Sequence, residues 1–284
     1  MSSRSIPPLL EPYLSLPPET SLIVLTSVLG ASTNWLVLRH LHTLLLNSKH
    51  ALVPSPSPDG GSTAEPPPVS VLLVSFLRDY PFWRDAASRV GVDLEGAGRK
   101  GRFGFVDGLG MFLPATVTGE KAGMVVPWRT RLGSNRLDDV RRTLAGAVEG
   151  MAAKGGKVVL VIDQLDVLLA TADEEGYGEE LRGVVLELRE KTHATILTLS
   201  ADEPLVAGQM TKLEREHAAL VLSALHEAEI VLSLRLLDTG TAKDVSGVVR
   251  ITRGGGEEQR AVEEREYLYH VLGDGGVRVF ERGQ

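Results

Sequence analysis

Apolar residues fall into short continuous runs along the chain, and stretches with a helical spacing of apolar positions lie between them. The first run begins at Leu22 and is followed by a short loop of small residues and an apolar helix. Further runs cover 69–77, 103–106 and 157–170, and the last is typical of a central parallel strand buried on both faces. This alternation of strands and helices predicts an α/β domain.

Three helices between these strands are predicted from the spacing of their apolar residues. The first runs from Pro81 to Val90, and the third lies around Glu179 to Lys191. The second follows Ser134, which is expected to be its N-cap. The residues expected to face the core are Phe82, Trp83, Ala86 and Val90 in the first helix, Leu137, Val140, Leu144, Val148 and Met151 in the second, and Leu181, Val184, Val185 and Leu188 in the third.

The last third of the chain differs in character, because its segments are mostly strand-like. Strands are predicted at 195–200, 229–237, 248–253, 267–272 and 277–281. The last two flank the sequence GDGG at 273–276, which is typical of a hairpin turn and predicts an antiparallel pair. The predicted fold class is therefore α/β, with a mixed, mostly parallel central sheet flanked by helices and with antiparallel C-terminal strands.

One domain is expected to cover 21–284, and two proline-containing segments differ from it in composition. Residues 1–20 are predicted to be an irregular N-terminal arm because prolines recur along them. Residues 54–68, with the sequence PSPSPDGGSTAEPPP, have almost no apolar content. Such a segment cannot bury enough surface to order itself, so a flexible insert that serves as a spacer is predicted.

The composition narrows the classes of function. The chain has 284 residues, of which 43% are hydrophobic and 24% charged, as is ordinary for a soluble globular protein. A formal net charge of −7 argues against a strongly basic protein that coats nucleic acid, although it permits a local basic patch. The absence of cysteine excludes disulfides, thiolate zinc sites and a cysteine nucleophile. Polar residues interrupt the apolar window 22–46, which favours a buried strand and helix over a membrane span.

The loop after the first strand has the position of a phosphate-binding loop but not its residues. The expected pattern is G-x-x-x-x-G-K-[ST]. Ser27 and Ser32 stand in place of the glycines, Thr33 in place of the lysine and Asn34 in place of the hydroxyl that binds Mg²⁺. Gly30 occupies a variable position. Because a triphosphate needs backbone N–H donors and a lysine charge, no bound nucleotide cofactor is expected.

An apolar strand that ends in an aspartate has the shape of a Walker B motif, in which the carboxylate holds the water shell of Mg²⁺. Asp163 ends the run of residues 158–162 in this way. An aspartate at a strand end is also a common helix cap, so the motif alone is weakly specific. The seven histidines do not fall into a metal-ligand spacing, and we expect neither catalytic residues nor a metal site.

A basic cluster lies before and within the second predicted helix, where five arginines fall within fourteen residues beside a tryptophan expected to be exposed. Arginine side chains beside an aromatic plane suit single-stranded or looped RNA. The candidates for nucleic-acid contact are Trp128, Arg129, Arg131 and Arg136. Arg141 and Arg142 are instead expected to lie on a solvated helix face, paired with Asp138, Asp139 or Glu149.

With these segments in order, the chain resembles the RecA-like family and, more closely, the Elongator subunit 6 family. The resemblance extends over most of the chain from Leu22 onward, leaving out the insert. The segments that carry it are VLLVSFLRDYPFW at 71–83, GRFGFVDGL at 101–109, KVVLVIDQLDVLLA at 157–170 and TGTAKDVSGVVRITRGG at 239–255. The second segment is the most distinctive, because RecA-like ATPases in general do not carry it.

The resemblance implies a subunit without catalysis of its own. In active RecA-like enzymes a glutamate after the second strand polarises the attacking water, and here Leu77 lies near that place. The lysine, the loop glycines and this glutamate are therefore all missing, while Asp163 is retained. The loop is interpreted as a relic of a phosphate site. The former nucleotide face, including residues 29–34, is expected to become a surface for another protein.

The resemblance also implies partners and a location. The fourth, fifth and sixth Elongator subunits are RecA-like and form a heterohexameric ring. This ring accompanies the catalytic Elongator subunits, which modify the wobble uridine of certain transfer RNAs, and it binds tRNA. No membrane is involved, and the expected location is the cytoplasm, with the nucleus as a second possibility.

Two other classes of function stay open at this point. One is a RecA-like ATPase that binds nucleotide, alone or with groups supplied by a neighbour. The other is a recombinase-type accessory protein that acts on DNA. The segment at 101–109 and the acidic balance of the chain argue against the second.

Overall fold

The described chain forms a single sheet of ten strands in the order β10-β9-β8-β7-β1-β6-β5-β2-β3-β4. The computed structural model describes residues 6–46, 68–112, 126–172, 174–237, 240, 242–255 and 262–282. The strands are β1 (Ser21–Ser27), β2 (Val69–Ser75), β3 (Phe103–Asp107), β4 (Arg129–Arg131), β5 (Lys157–Asp163), β6 (Ala194–Ser200), β7 (Ile230–Arg235), β8 (Gly247–Arg253), β9 (Arg265–Val271) and β10 (Val277–Phe280).

The pairing of the strands confirms the predicted fold class. Strands β1 to β7 pair with one another in parallel. Strands β8, β9 and β10 follow β7 in the sheet as an antiparallel extension. Every residue of β1 and β2 is buried, as expected for strands covered by helices on both faces. The predicted hairpin is present, with Val277 opposite Val271.

Helices cover both faces of the sheet and create two apolar cores. They are α1 (Glu11–Leu14), α2 (Asn34–Leu46), α3 (Tyr80–Arg89), α4 (Leu94–Arg99), α5 (Leu137–Ala152), α6 (Val167–Ala170), α7 (Tyr177–Glu190), α8 (Glu203–Val206) and α9 (Lys212–Glu227). One core contains residues of α1 to α4, and the other contains residues of α5, α6, α7 and α9. Alternate strand residues enter the two cores, as Leu72 and Leu73 of β2 illustrate.

The predicted helices are present, with corrections at two places. All nine core positions predicted for the second and third helices are buried. In the first helix, Trp83 and Val90 are buried, while Phe82 and Ala86 are half-buried. The expected N-cap at Ser134 is wrong, because α5 begins at Leu137 with Arg136 as its N-cap. The Ser134 hydroxyl instead donates to the carboxylate of Asp139 in the first turn.

Residues 6–20 are the described part of the predicted irregular arm, and they contain two short helical segments. Pro8–Leu10 form a 3-10 turn that continues into α1, and Leu10 and Leu14 are completely buried in the core that contains α2. Pro8 and Pro12 lie in the first turns of these two segments, where the missing N–H has no helical partner to lose. Of the predicted insert at 54–68, residues 54–67 lie outside the described part of the chain.

Candidate functional site

The loop after β1 lies where the carboxyl ends of the parallel strands meet, the edge at which α/β folds place their ligands. Ser27 and Thr33 are buried there, while Ser32 is exposed and its side chain is uncharged. Gly30 has a φ of +91°, a conformation that favours glycine. The Leu29 side chain before it is 86% exposed. The loop thus presents an apolar side chain where a phosphate loop would present N–H groups.

Several contacts hold Leu29 in place. Its backbone N–H donates to Oδ1 of Asp202 at 2.7 Å, and the N–H of Ala31 donates to the carbonyl of Val28 at 2.9 Å. Leu236, which follows β7, covers Gly30 so closely that a Cβ there would lie 3.3 Å from its Cδ1 atom. The exposed leucine is therefore displayed on a well-supported turn.

Asp163 is completely buried at the end of β5 and is bound by hydroxyl groups of the two neighbouring strands. Its Oδ2 accepts from the Ser75 hydroxyl at 2.8 Å, and its Oδ1 accepts from the Thr198 hydroxyl at 3.2 Å. The indole Nε1 of Trp83 donates to the same Ser75 oxygen at 3.0 Å. The carboxylate thus joins the ends of β2, β5 and β6 to helix α3.

Both hydroxyls are oriented toward Asp163 because their acceptor sites are already used. The Ser75 oxygen accepts from Trp83 and from the backbone N–H of Arg78 at 3.2 Å, and the Thr198 oxygen accepts from the backbone and side-chain nitrogens of Gln164 at 2.8 and 3.2 Å. Each hydroxyl therefore donates its proton in a hydrogen bond to the carboxylate of Asp163. Burial raises the pKa of Asp163 to about 6, and these two hydrogen bonds oppose the rise.

This geometry limits what Asp163 can do chemically. A Walker B carboxylate must face a metal-bound water, whereas both oxygens of Asp163 accept from protein hydroxyls and none of its surface is open to solvent. Within the described ranges, no group of three or more potential ligands of the His, Asp and Glu types is placed to hold a metal ion. The aspartate thus links β2, β5 and β6 through hydrogen bonds.

Other apolar side chains are exposed at the same edge of the sheet. Leu77, Phe112 and Leu236 follow the carboxyl ends of β2, β3 and β7, with exposed fractions of 41%, 40% and 44%. Met210, in the segment that follows β6, is 84% exposed. Together with Leu29, which follows β1, they are five exposed apolar side chains that each follow a different parallel strand. We call these five residues the apolar edge.

Trp128 was expected to be exposed, and the structure corrects this. The side chain is half-buried, its ring lies 5.3 Å from that of Tyr80 and 6.1 Å from that of Phe103, and it covers Gly98 of α4. The sequence around Trp128 gave no sign of these partners, because all three lie far from it along the chain. Neighbouring side chains and helix α4 therefore cover much of the surface of the Trp128 ring.

The arginines near Trp128 differ in their surroundings. The Arg129 guanidinium lies 4.3 Å from the centre of the Tyr80 ring, and Arg131 donates to the carbonyl of Gly110. Arg136 is exposed at the N-cap of α5. Arg142 pairs with Asp139 as expected. Arg129 and Arg131, the end residues of β4, thus contact other parts of the protein, whereas Arg136 is exposed to solvent.

Arg141 pairs with a different carboxylate from those expected. Its Nε lies 3.4 Å from Glu187 of α7, rather than near Asp138, Asp139 or Glu149. Because both side chains are well exposed, the pair is worth at most about 1 kcal/mol.

The fold is RecA-like. A KaiC-like protein from the hyperthermophilic archaeon Pyrococcus horikoshii has a solved structure that matches this chain with a TM-score of 0.57 and 18% sequence identity. The match covers 98% of this chain and 97% of that one, so it includes the antiparallel extension as well as the parallel strands.

The chain belongs to the family of elongation complex protein 6, whose model matches residues 68–273. Elongator complex protein 6 of Xenopus laevis is 26% identical over 219 residues, which cover 75% of this chain and 80% of that protein. Elongator complex protein 6 of Danio rerio is 23% identical over 231 residues, with the same coverage of both chains. This finding confirms the predicted family. In the described part of the chain, no helix has the length and hydropathy needed to cross a membrane.

Proposed function

We propose that this chain is a non-catalytic subunit of the Elongator accessory ring. In this proposal it assembles with the fourth and fifth Elongator subunits, which are RecA-like, into a heterohexamer. The ring binds tRNA and supports the catalytic Elongator subunits as they modify the wobble uridine. The proposed location is the cytoplasm and the nucleus. Membership in the family of elongation complex protein 6 supports the role in Elongator.

The observation that carries the proposal is the exposed Leu29 in the loop after β1. The side chain is 86% exposed although its backbone is held by Asp202 and by the turn at Gly30. A leucine displayed in this way contributes its full apolar area only when a partner covers it. The rest of the apolar edge extends this surface across five strands, which suits contact with a neighbouring subunit.

The chemistry of the same edge supports a role without catalysis. No lysine stands in the loop to neutralise a triphosphate, and Ser27, Ser32 and Thr33 replace the residues that would bind it. Since phosphoryl transfer depends almost wholly on such charges, their loss removes the main source of rate acceleration. Both oxygens of Asp163 accept hydrogen bonds from protein hydroxyls, those of Ser75 and Thr198.

The assembly can be tested by changing Leu29 to Asp in a preparation co-expressed with the fourth and fifth subunits. A charge in the centre of the interface should cost about 2 kcal/mol or more at each contact, so the hexamer should be lost from native mass spectra. Leu222→Asp is the matched control, because Leu222 is 51% exposed on α9, away from the apolar edge.

The two variants separate the possible outcomes. Loss of the hexamer for Leu29→Asp alone, with both variants folded, supports the proposed interface. A hexamer that survives Leu29→Asp contradicts it. Nucleotide retained by the purified chain, or a clear preference for single-stranded DNA over tRNA in competition, would instead favour the ATPase or the DNA-accessory function.

A further inference from the structure

A groove of about 500 Å³ lies between helix α5 and the edge of the sheet at β3 and β4. One wall includes Trp128 and Thr130, and the other includes Arg142, Thr143, Gly146 and Lys154. We call this the edge groove. In the part of the chain that the structure describes, β4 is the last strand on this side of the sheet.

The alternation of β4 and the period of α5 explain which side chains reach the groove. Within β4, Thr130 faces the groove, and Arg129 and Arg131 lie on the other face of the strand. Trp128, which precedes β4, also lines the groove, while its ring packs against Tyr80 and Phe103. Residues 143, 146 and 150 recur every three or four positions, so they form one face of α5, and Lys154 lies in the turn that follows the helix. The groove therefore combines an aromatic ring, hydroxyl groups and cations along one path.

The charge of the groove is opposite to that of the chain. Among the residues that the structure describes, its lining contains Arg142 and Lys154 and no aspartate or glutamate, although the chain as a whole has a formal net charge of −7. The cavity between α3 and α4 differs, because Asp85, Asp93 and Glu95 line it beside a single arginine. An anionic partner is therefore favoured at the edge groove and disfavoured at the other cavity.

We propose that the edge groove binds a single-stranded or looped segment of RNA. Arg142 and Lys154 contact its phosphates, and Trp128 provides the surface for a base. The hydroxyls of Thr130 and Thr143 offer hydrogen bonds to sugar or base edges. The proposal rests on the proposed function, since it identifies where this subunit contacts the tRNA of the ring. Arg142 keeps its contact with Asp139, but its side chain is 75% exposed and can reach a phosphate.

Gly146 provides a way to close the groove without removing any contact of the protein. A Cβ built there meets no atom within 4 Å, so a leucine side chain has room to project into the groove. Leucine is also a better helix former than glycine, and Gly146→Leu should not lower the melting temperature. Gly183 of α7 has the same open surroundings on another helix, and Gly183→Leu is the matched control.

The experiment measures binding of a fluorescein-labelled tRNA transcript to the assembled ring by fluorescence anisotropy over a range of salt. Arg142→Gln with Lys154→Gln should weaken binding about ten-fold and reduce the salt slope by about 1.4, since each single-strand phosphate contact contributes about 0.7. Gly146→Leu should weaken binding with little change of slope, because it removes no charge. Arg182→Gln with Arg278→Gln, which removes two exposed charges elsewhere, should bind like the wild type.

Failure of the inference and failure of the proposed function give different results. If the wild-type ring binds tRNA and all groove variants bind equally well, the inference is overturned while the proposed function stands. If the wild-type ring does not bind tRNA, both are overturned. If the groove variants break the ring and leave RNA affinity unchanged, the groove is a protein contact and the inference is again overturned.

Discussion

At the scale of single residues, the hydrogen-bond partners of Asp163 show its role at the end of β5. Its position at the end of an apolar strand could be predicted from the sequence, and so could its likeness to a Walker B carboxylate. Its partners could not, because Ser75 and Thr198 lie 88 and 35 positions away along the chain. Only the pairing of β5 with β2 and β6 brings these hydroxyls to the carboxylate.

Removal of the Ser75 hydroxyl should be costly to the fold. Ser75→Ala leaves the Trp83 indole N–H and one oxygen of Asp163 without partners in a completely buried place. We expect the free energy of unfolding, measured in urea, to fall by about 2 kcal/mol or more. Ser223→Ala is the control, because Ser223 only donates to Glu227 on the surface of α9, and it should change stability by about 0.5 kcal/mol or less. Equal effects of the two substitutions would contradict the structural role of Ser75.

At the scale of elements, a helix could be predicted from the sequence when its apolar residues fall clearly on one face. Helix α5 was predicted with every core position because its large apolar residues fall on one face. Helix α9 was not predicted, since it buries Ala218 and Ala224 while Leu213 and Leu222 are exposed. Small buried residues and exposed leucines blur the periodic signal on which such predictions depend.

The contact between α4 and Trp128 is so close that one added methyl group can test it. A Cβ on Gly98 would lie 2.4 Å from the ring of Trp128, so Gly98→Ala must displace the indole or the helix. We expect a loss of about 1–3 kcal/mol in thermal or urea unfolding. In Gly183→Ala the Cβ meets nothing within 4 Å, and the higher helix propensity should stabilise the protein by about 0.5–1 kcal/mol. Stabilisation by both substitutions would show that Trp128 does not lie on α4 as described.

At the scale of the whole molecule, the fold class could be predicted from the order of strands and helices, but the neighbours of each strand could not. The sheet places β1 between β6 and β7, so three segments distant in sequence bring Leu29, Met210 and Leu236 to one edge. The same topology places the basic segment around Trp128 at the opposite side of the sheet from the C-terminal hairpin. Both proposed contact surfaces thus result from strand order, which local patterns do not encode.

We propose that this RecA-like chain acts as a ring subunit and not as an independent nucleotide enzyme. The most direct test is capture of the tagged chain from its native cells, followed by native mass spectrometry. We expect a heterohexamer that contains two further RecA-like proteins. Recovery of the chain as a monomer or homo-oligomer with bound nucleotide would contradict it.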